Sequence, residues 1–305
     1  MIEQCRGLIR KRTNGSELVN YNIPNFPSYV HRGWILPNVT WEKVTHYHED
    51  IELLYVLSGK MAYNVHGEII HLDTGEGILV NANQIHYTIA TQETPATYLI
   101  AVIHPRILYS SDEIRTKYVE PITGNPDITS LVFRKGDNDT LELARIMHQL
   151  FEHKEDEFNL TRDFFDLWSL TMNKCSTVPK SNANITSDSQ SEAFKLMITF
   201  IQNEYSRPIS LEDIAQAGNV SKTFCNTLFH KFTKEPPLES LNRYRTGKVS
   251  ELIFSTSLSM GDIAEKVGYS SASYMAEMFK KYYGESPTKY KKEKLELYRQ
   301  INSSI

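Results

Sequence analysis

Two stretches of this chain, about fifty residues apart, follow one plan, and that plan leaves few folds open. The later stretch, Ser259 to Lys292, opens with a serine that can cap a helix, and Asp262 stands three residues on as its capping-box partner. The helix is expected to stop at Gly268, where the backbone turns through positive φ. A second helix should follow from about Ser271 to Tyr283. Tyr274, Met275, Met278 and Phe279 recur with the rhythm of one buried face, and Ala272, Ser273, Ala276, Glu277, Lys280 and Lys281 fall on the other. The earlier copy is in register with it. Ser210, Asp213, Ile214, Ala215, Asn219 and Val220 stand 49 residues before Ser259, Asp262, Ile263, Ala264, Gly268 and Tyr269. Past the turn the offset is 50, with Phe224, Leu228, Phe229 and Lys231 matching Tyr274, Met278, Phe279 and Lys281. The extra residue falls in the turn, where insertions are tolerated, and Asn219 replaces the glycine with a residue that also accepts the left-handed region.

Helix, tight turn and helix with a small, polar outer face is a helix-turn-helix, and here it is doubled. Between the units, Pro237 to Phe254 reads as one helix, with Pro237 suited to its first turn. At about 1.5 Å per residue it makes a rod of about 27 Å. That length suits two reading heads in successive major grooves about 34 Å apart. The repeats run head to tail, so the expected target is a pair of tandem sub-sites in double-stranded DNA, not a palindrome. Gly247 inside the rod costs about 1 kcal/mol relative to alanine. Lys234 stands where Gly284 stands in the second copy, so the first reading helix is expected to end differently.

The outward residues are the candidate DNA contacts: Lys222, Thr223, Asn226, Thr227 and Lys231 on the first reading helix, and Ser273, Ala276, Glu277, Lys280 and Lys281 on the second. Phe224, Cys225, Leu228 and Phe229 are expected to face the core. Asn226 suits an adenine edge, the threonines a thymine methyl, and the lysines guanine or phosphate. Ser221 reads as a cap. Glu277 is expected to pair with Lys281 one turn on, leaving the second helix to hold mainly phosphates.

The residues Ile263-Ala264, Gly268-Tyr269, Phe279-Lys280-Lys281, Gly284, Ser286-Pro287 and Tyr290 resemble the C-terminal signature of AraC/XylS-type transcription regulators. The resemblance implies a regulator, more often an activator, that contacts RNA polymerase and binds a small effector in an N-terminal barrel. Many family members carry arginine where Thr227 and Glu277 stand, and strong guanine contacts are not expected at those two positions.

The N-terminal half changes character. Short apolar runs such as Ile51–Leu57, Met61–Val65, Ile78–Val80 and Tyr98–Val102 are separated by Gly, Asn, Asp and Pro, so residues 1 to about 125 read as a small barrel or jelly roll. His46, His48 and Glu52 share one face of an extended strand, and His86 follows a later turn. The segments around them resemble the two cupin motifs, with Asn81 where a cupin enzyme usually has proline. Two readings stand. The preferred one is a polar pocket for an organic effector, plausibly a carbohydrate, lined by Trp34, His46, His48, Glu52 and His86, with no cofactor and no metal. An aromatic ring there would stack on a sugar while imidazole, carboxylate and amide groups bond its hydroxyls. The alternative is a metal-dependent cupin enzyme fused to a DNA-binding domain, since three imidazoles and a carboxylate are also a ligand set. The chain is read as a regulator, not an enzyme. Trp34 and Trp41 also fit a core or N-terminal arm, and His66 and His71 fit a solvent-facing hairpin.

From Asp139 to Lys174 the period becomes helical. Leu143, Ile146, Met147, Leu150 and Phe151 form one stripe; Phe158, Phe164, Phe165, Leu167, Trp168 and Met172 form another. The two helices can cover the barrel, and by resemblance they pair a homodimer. Lys174 to Ser191 is rich in Ser, Asn and Thr and reads as a linker. The expected fold class is α+β in two domains. A cupin-like effector and dimerisation domain takes 1–173, the linker 174–191, and an all-α double helix-turn-helix domain 192–305.

Bulk composition is consistent with this plan. Three hundred and five residues suggest two domains. Cys5, Cys175 and Cys225 are three and far apart, which speaks against a disulfide framework or zinc site and for the reducing cytoplasm. No secretory signal and no membrane partner are expected. The net charge of −4 is unevenly spread. From Ser191 on, Lys and Arg outnumber Asp and Glu by 16 to 13, whereas the remainder has 17 against 24. The non-specific attraction to DNA should therefore be modest.

Overall fold

The computed structural model describes residues 10–11, 16–35, 44–90, 95–176 and 185–292. Trp41, most of the N-terminal stretch, residues 177–184 of the expected linker and the last thirteen residues lie outside the described residues. The chain forms two compact units: among the described residues, those of 9–37 and 45–192 form one, and those of 193–305 together with Val44 form the other.

Among the described residues the first unit holds ten strands: β1 (Arg10–Lys11), β2 (Glu17–Leu18), β3 (Ser28–Ile35), β4 (Ile51–Ser58), β5 (Lys60–Val65), β6 (Glu68–Asp73), β7 (Gly77–Val80), β8 (His86–Ala90), β9 (Ala96–Ile103) and β10 (Ser130–Phe133). β1 pairs with β2, and two larger antiparallel sheets run in the orders β10-β7-β4-β9-β3 and β6-β5-β8. Alternation along each strand sorts side chains between two cores. Leu54 and Val56 of β4, Ile78 and Val80 of β7, and Ile35 of β3 pack with Met61, Tyr63 and Val65 of β5, filling the space between the sheets. Their neighbours Leu53, Leu79, Val30 and Leu99 point to the opposite face of the five-stranded sheet.

That outer face is covered by α3 (Asn138–Glu152) and α4 (Glu157–Ser176). Leu143, Ile146, Met147, Leu150, Phe164, Leu167 and Trp168 are buried in the same core as Leu53 and Leu79. The expected stripes are thus mostly real, but Phe158 is 82% exposed and Phe165 is 37% exposed. These two lie on the side of α4 turned away from the sheet. The expectation of continuous β-structure to residue 125 also needs correction. Residues 105–123 fold as short helical turns, among them α1 (Asp112–Ile114) and α2 (Glu120–Thr123), before β10 returns to the sheet edge.

The second unit is helical. α5 (Ile185–Glu204) begins earlier than the helix expected from Glu192. α6 (Leu211–Ala217), α7 (Lys222–Thr233), α8 (Pro237–Ser255), α9 (Met260–Lys266) and α10 (Ala272–Tyr283) follow. No helix among the described residues is long and apolar enough to cross a membrane.

Candidate functional sites: a paired nucleic-acid interface and a buried histidine cluster

The two helix-turn-helix units repeat each other bond by bond. Ser210 and Ser259 each accept from the backbone N–H three residues on, and Asp213 and Asp262 return the bond, giving two full capping boxes. Asn219 and Gly268 both turn through positive φ, at 52° and 81°. The Val220 N–H then reaches the Ala215 carbonyl at 3.0 Å, and the Tyr269 N–H reaches that of Ala264 at 2.9 Å. Ser221 and Ser271 cap α7 and α10 by accepting from Phe224 and Tyr274, so Ser221 is a cap, as expected. Gly268 is required for a second reason: an added Cβ would lie 2.5 Å from the Tyr205 carbonyl oxygen.

On α7, Lys222, Thr223, Thr227 and Lys231 are exposed and Asn226 is half-buried. Asn226 donates one amide hydrogen to the Lys222 carbonyl at 3.0 Å. Its second N–H and its Oδ1 remain, which is what an adenine edge needs. Thr227 spends its hydroxyl hydrogen on the Thr223 carbonyl and keeps its methyl for contact. Lys222 forms an ion pair with Glu212. On α10, Ser273, Glu277, Lys280 and Lys281 are exposed and Ala276 is half-buried.

Two expectations are corrected here. Lys281 pairs with Glu239 of α8 at 2.5 Å, not with Glu277. Phe224 and Tyr274 are 38% and 39% exposed, at the rim of the buried face and not within it. Lys234 and Gly284 share the left-handed region, but their caps differ: the Gly284 N–H bonds the Lys280 carbonyl, whereas the Lys234 Nζ bonds that of Lys231.

α8 is held by side-chain contacts along residues 242–246. Arg243 pairs with Glu235 at 2.8 Å and lies over the Tyr282 ring. Arg245 donates to the carbonyls of Tyr205 and Arg207, and Tyr269 bonds Thr246 and the Asn242 carbonyl. Burial pushes the Tyr269 phenol up to about 12, so it stays a neutral donor. Burial also raises the Cys225 thiol to about 11, which leaves it an inert core residue.

In the β-unit, His46, His48, Glu52 and His86 come together. Each offers a donor atom within 4.8 Å of the others, and all four side chains are buried. The backbone enforces this. His46 and His86 exchange two backbone hydrogen bonds, 3.1 and 3.0 Å, as an isolated bridge, and their rings stand 4.3 Å apart. Glu52 points between the sheets because it shares a strand face with Leu54 and Val56. His48 places Nδ1 2.9 Å from the Asp50 carbonyl, and His86 places Nδ1 2.8 Å from that of Gln84. A carbonyl can only accept, so both Nδ1 atoms carry hydrogen and both Nε2 atoms turn to Glu52 Oε2, at 3.4 and 3.6 Å. Tyr63 donates to Glu52 Oε1 at 2.7 Å.

Burial alone would raise the Glu52 pKa, but the charge and hydrogen bonds of His86 and His48 hold it well below the ordinary carboxylate value. Burial would lower His48, and the bond to Glu52 with the charges of Glu52, Glu17 and Asp50 raises it instead. The site calls for positive charge. Three imidazoles, two of them with the far ring nitrogen fixed by a carbonyl, and an anionic carboxylate are a donor set that could hold a divalent metal ion. This is the reading that the sequence placed second.

Trp34 does not join them. It pairs with Thr97 in an unbroken β3–β9 register and so lies on the face of Val30, away from Glu52. Tyr29, which pairs with Val102 opposite Glu52, lies on the Glu52 face and was missed. Tyr63 was missed too, although the alternation Met61, Tyr63, Val65 was a signal for it. Asn81, the departure from proline, is structural: its amide donates to the Ile122 and Ile128 carbonyls, both at 2.8 Å. His71 is exposed, whereas His66 is half-buried in the hairpin turn at positive φ.

Comparison with known proteins finds the helix-turn-helix domain family over residues 214–293 and the cupin domain family over residues 35–102. An uncharacterized HTH-type transcriptional regulator of Bacillus subtilis, YdeC, is 24% identical over 286 residues, covering 92% of this chain and 96% of the relative. The raffinose operon transcriptional regulatory protein RafR of Pediococcus pentosaceus is 29% identical over 101 residues, 33% of this chain and 36% of that one. The lactose operon transcription activator of Staphylococcus xylosus is 29% identical over 104 residues, 34% of this chain and 37% of that one. Among solved structures, unsaturated fatty acid-bound ToxT of Vibrio cholerae is 15% identical, covers 88% of this chain and 95% of its own, and has a TM-score of 0.45.

Proposed function

This chain belongs to the AraC/XylS-type transcription regulators, with a cupin domain ahead of a double helix-turn-helix domain, and from that premise we propose that it switches transcription in response to a small molecule bound between its β-sheets. α7 reads bases through Asn226, Thr223 and Thr227, with Lys222 and Lys231 on phosphates. α10 rests on the backbone through Lys280 and Lys281, with Ser273, Ala276 and Glu277 at the groove. One observation carries the DNA reading: both units have the same capping box, the same left-handed turn and the same serine cap on the reading helix. Such identity of backbone suits two heads that engage consecutive turns of one duplex.

The effector is proposed to be a carbohydrate, and the product an activator. Two matched relatives are named as regulators of raffinose and lactose operons, over about a third of the chain. The polar side chains between the sheets suit hydroxyl groups, though Trp34 is no longer part of that lining. The protein is further proposed to be a cytoplasmic homodimer that contacts RNA polymerase. Leu141 at 72% exposure and Phe158 at 82%, on α3 and α4, supply apolar surface for a second copy.

The test is binding of the full chain to a selected operator with two sub-sites one turn apart. Inserting five base pairs between them should abolish tight binding, because it rotates one sub-site to the far side of the duplex. Equal affinity for both spacings would refute the tandem reading. A thermal shift with raffinose, lactose or their component sugars, with altered operator affinity, tests the effector. An effector can act only by preferring one arrangement of the protein over another.

A further inference from the structure

α7 and α10 both lie against α8, each anchored in its own apolar cluster. Phe229 and Phe232 of α7 pack on Phe194 of α5, with ring centroids 4.9 and 4.7 Å apart. Met275, Met278 and Phe279 of α10 pack with Val249, Ile253, Ile263 and Val267. Hydrophobic burial is non-directional. Directional bonds between the clusters are therefore what can hold one head in a fixed twist relative to the other.

We propose that Arg243, paired with Glu235 and stacked on Tyr282, is the positioning residue that locks the two reading heads to one rod, and so sets which separation of sub-sites in the duplex the protein accepts. This rests on both heads engaging one duplex, and it concerns the geometry between them, not the bases that either reads.

Arg243 Nη2 and Nε donate to Glu235 Oε2 at 2.8 and 3.0 Å, and the Ser240 hydroxyl donates to Glu235 Oε1 at 2.8 Å. Glu235 directly follows Lys234, the cap of α7, so its carboxylate moves with the first head. The flat face of the same guanidinium lies 4.6 Å from the centroid of the Tyr282 ring, in the last turn of α10. Tyr282 is buried, and its hydroxyl donates to the Glu239 carbonyl at 3.4 Å. One planar group thus bonds the first head through its edge and the second through its face. Arginine alone can do both, because an ammonium is a point charge without a fork or a face.

The side chains of Arg243 and Glu235 are only 10% and 14% exposed. Desolvation offsets much of the attraction in such a pair, so stability is a weak reason for it, and the best-attested use of a buried pair is to fix register. Arg245 stands two residues on, about 200° around the helix. It donates to the carbonyls of Tyr205 and Arg207, just past α5, and lies over the Tyr269 ring in the second turn at 5.8 Å. The rod is thus gripped from two sides, and Arg243 is the grip that reaches both reading helices.

The experiment measures affinity of the full chain for its selected operator in three forms: the selected spacing, one base pair added between the sub-sites, and the second sub-site scrambled. One base pair turns a sub-site by about 34° and shifts it by about 3.4 Å. Wild type should lose at least about tenfold on the added base pair, because a stiff link cannot follow it. Arg243→Ala and Arg243→Lys should cut that loss to about threefold or less and weaken the selected site about tenfold, yet bind the scrambled operator within about twofold of wild type. If Arg243→Ala does not fold, Glu235→Ala, which removes the same bonds from a loop position, decides by the same three affinities. A spacing loss as large in the folded variant as in wild type would overturn the proposal and leave the tandem reading standing. A uniform loss on all three operators would overturn it as well, since that is the mark of a general structural defect. Arg243→Lys behaving as wild type would do so too. Wild-type indifference to one added base pair would end the proposal alone, whereas equal affinity at five added base pairs would take the tandem reading with it.

Discussion

Lys234 and Gly284 end the two reading helices in the same left-handed conformation, with φ of 62° and 80°. Glycine accepts this freely, whereas a side chain costs about 1–2 kcal/mol. The lysine is retained with its Nζ donating to the Lys231 carbonyl at 3.0 Å, an exposed bond of little weight. Lys234→Gly should therefore raise unfolding stability by about 0.5–1 kcal/mol, part of the gain being offset by the flexibility of glycine in the unfolded chain. Urea denaturation measures it; a loss of stability would show that the lysine cap matters more than the strain.

Three other glycines of this unit should respond differently to alanine. At Gly284 nothing lies within 4 Å of the new Cβ, so the cost is conformational alone, about 1 kcal/mol. At Gly268 the same strain is joined by a 2.5 Å clash with the Tyr205 carbonyl, and the loss should be clearly larger. At Gly247, inside α8, the Cβ meets only the Val44 methyl at 3.8 Å, and Gly247→Ala should gain about 0.5–1 kcal/mol. Melting temperatures should fall from Gly247→Ala through Gly284→Ala to Gly268→Ala, the lowest of the three.

Asn226→Ala should cost about 1–3 kcal/mol of operator affinity and relax preference at one base pair. The amide has a free N–H and Oδ1 after its bond to Lys222. A loss of equal size on every sequence would show that Asn226 only positions the helix.

The ion pair of Lys281 with Glu239 predicts opposite effects from its two halves. Lys281→Ala should weaken DNA binding uniformly and reduce the salt slope by about one. Glu239→Gln should free the lysine and tighten binding at low salt. Burial would raise the Glu239 pKa, but the bonds from Lys281 and Tyr282 lower it below its ordinary 4.5. Its contribution to stability is present above that value and fades as pH falls through the depressed one. The stability of Glu239→Gln should thus fall less steeply with acid than that of the wild type.

Phe158→Ser tests the proposed dimer. An 82% exposed ring contributes little to the monomer, so far-UV dichroism and melting of dilute protein should hardly change. Sedimentation should show a weaker dimer. Unchanged self-association would move the interface away from this end of α4.

Local chemistry determined the larger part of what was legible beforehand. Capping boxes, turn residues and helical stripes act over three or four neighbours, and so Ser210 to Lys292 could be read as a doubled helix-turn-helix before any coordinates. The histidine cluster was half legible: period-two alternation puts His46, His48 and Glu52 on one face, but it says nothing about how far His86 stands from them.

What only tertiary structure decided were the relations across the chain. The choice of Glu239 over Glu277 for Lys281 depends on how α10 lies on α8, and a four-residue spacing rule cannot see it. Trp34 left the site because register, set by β9, chose its face. The tautomers that turn two histidines toward Glu52 are fixed by carbonyls of Asp50 and Gln84, backbone groups whose direction no side-chain pattern records. Short-range propensity writes the elements; only packing decides which distant groups share a charge.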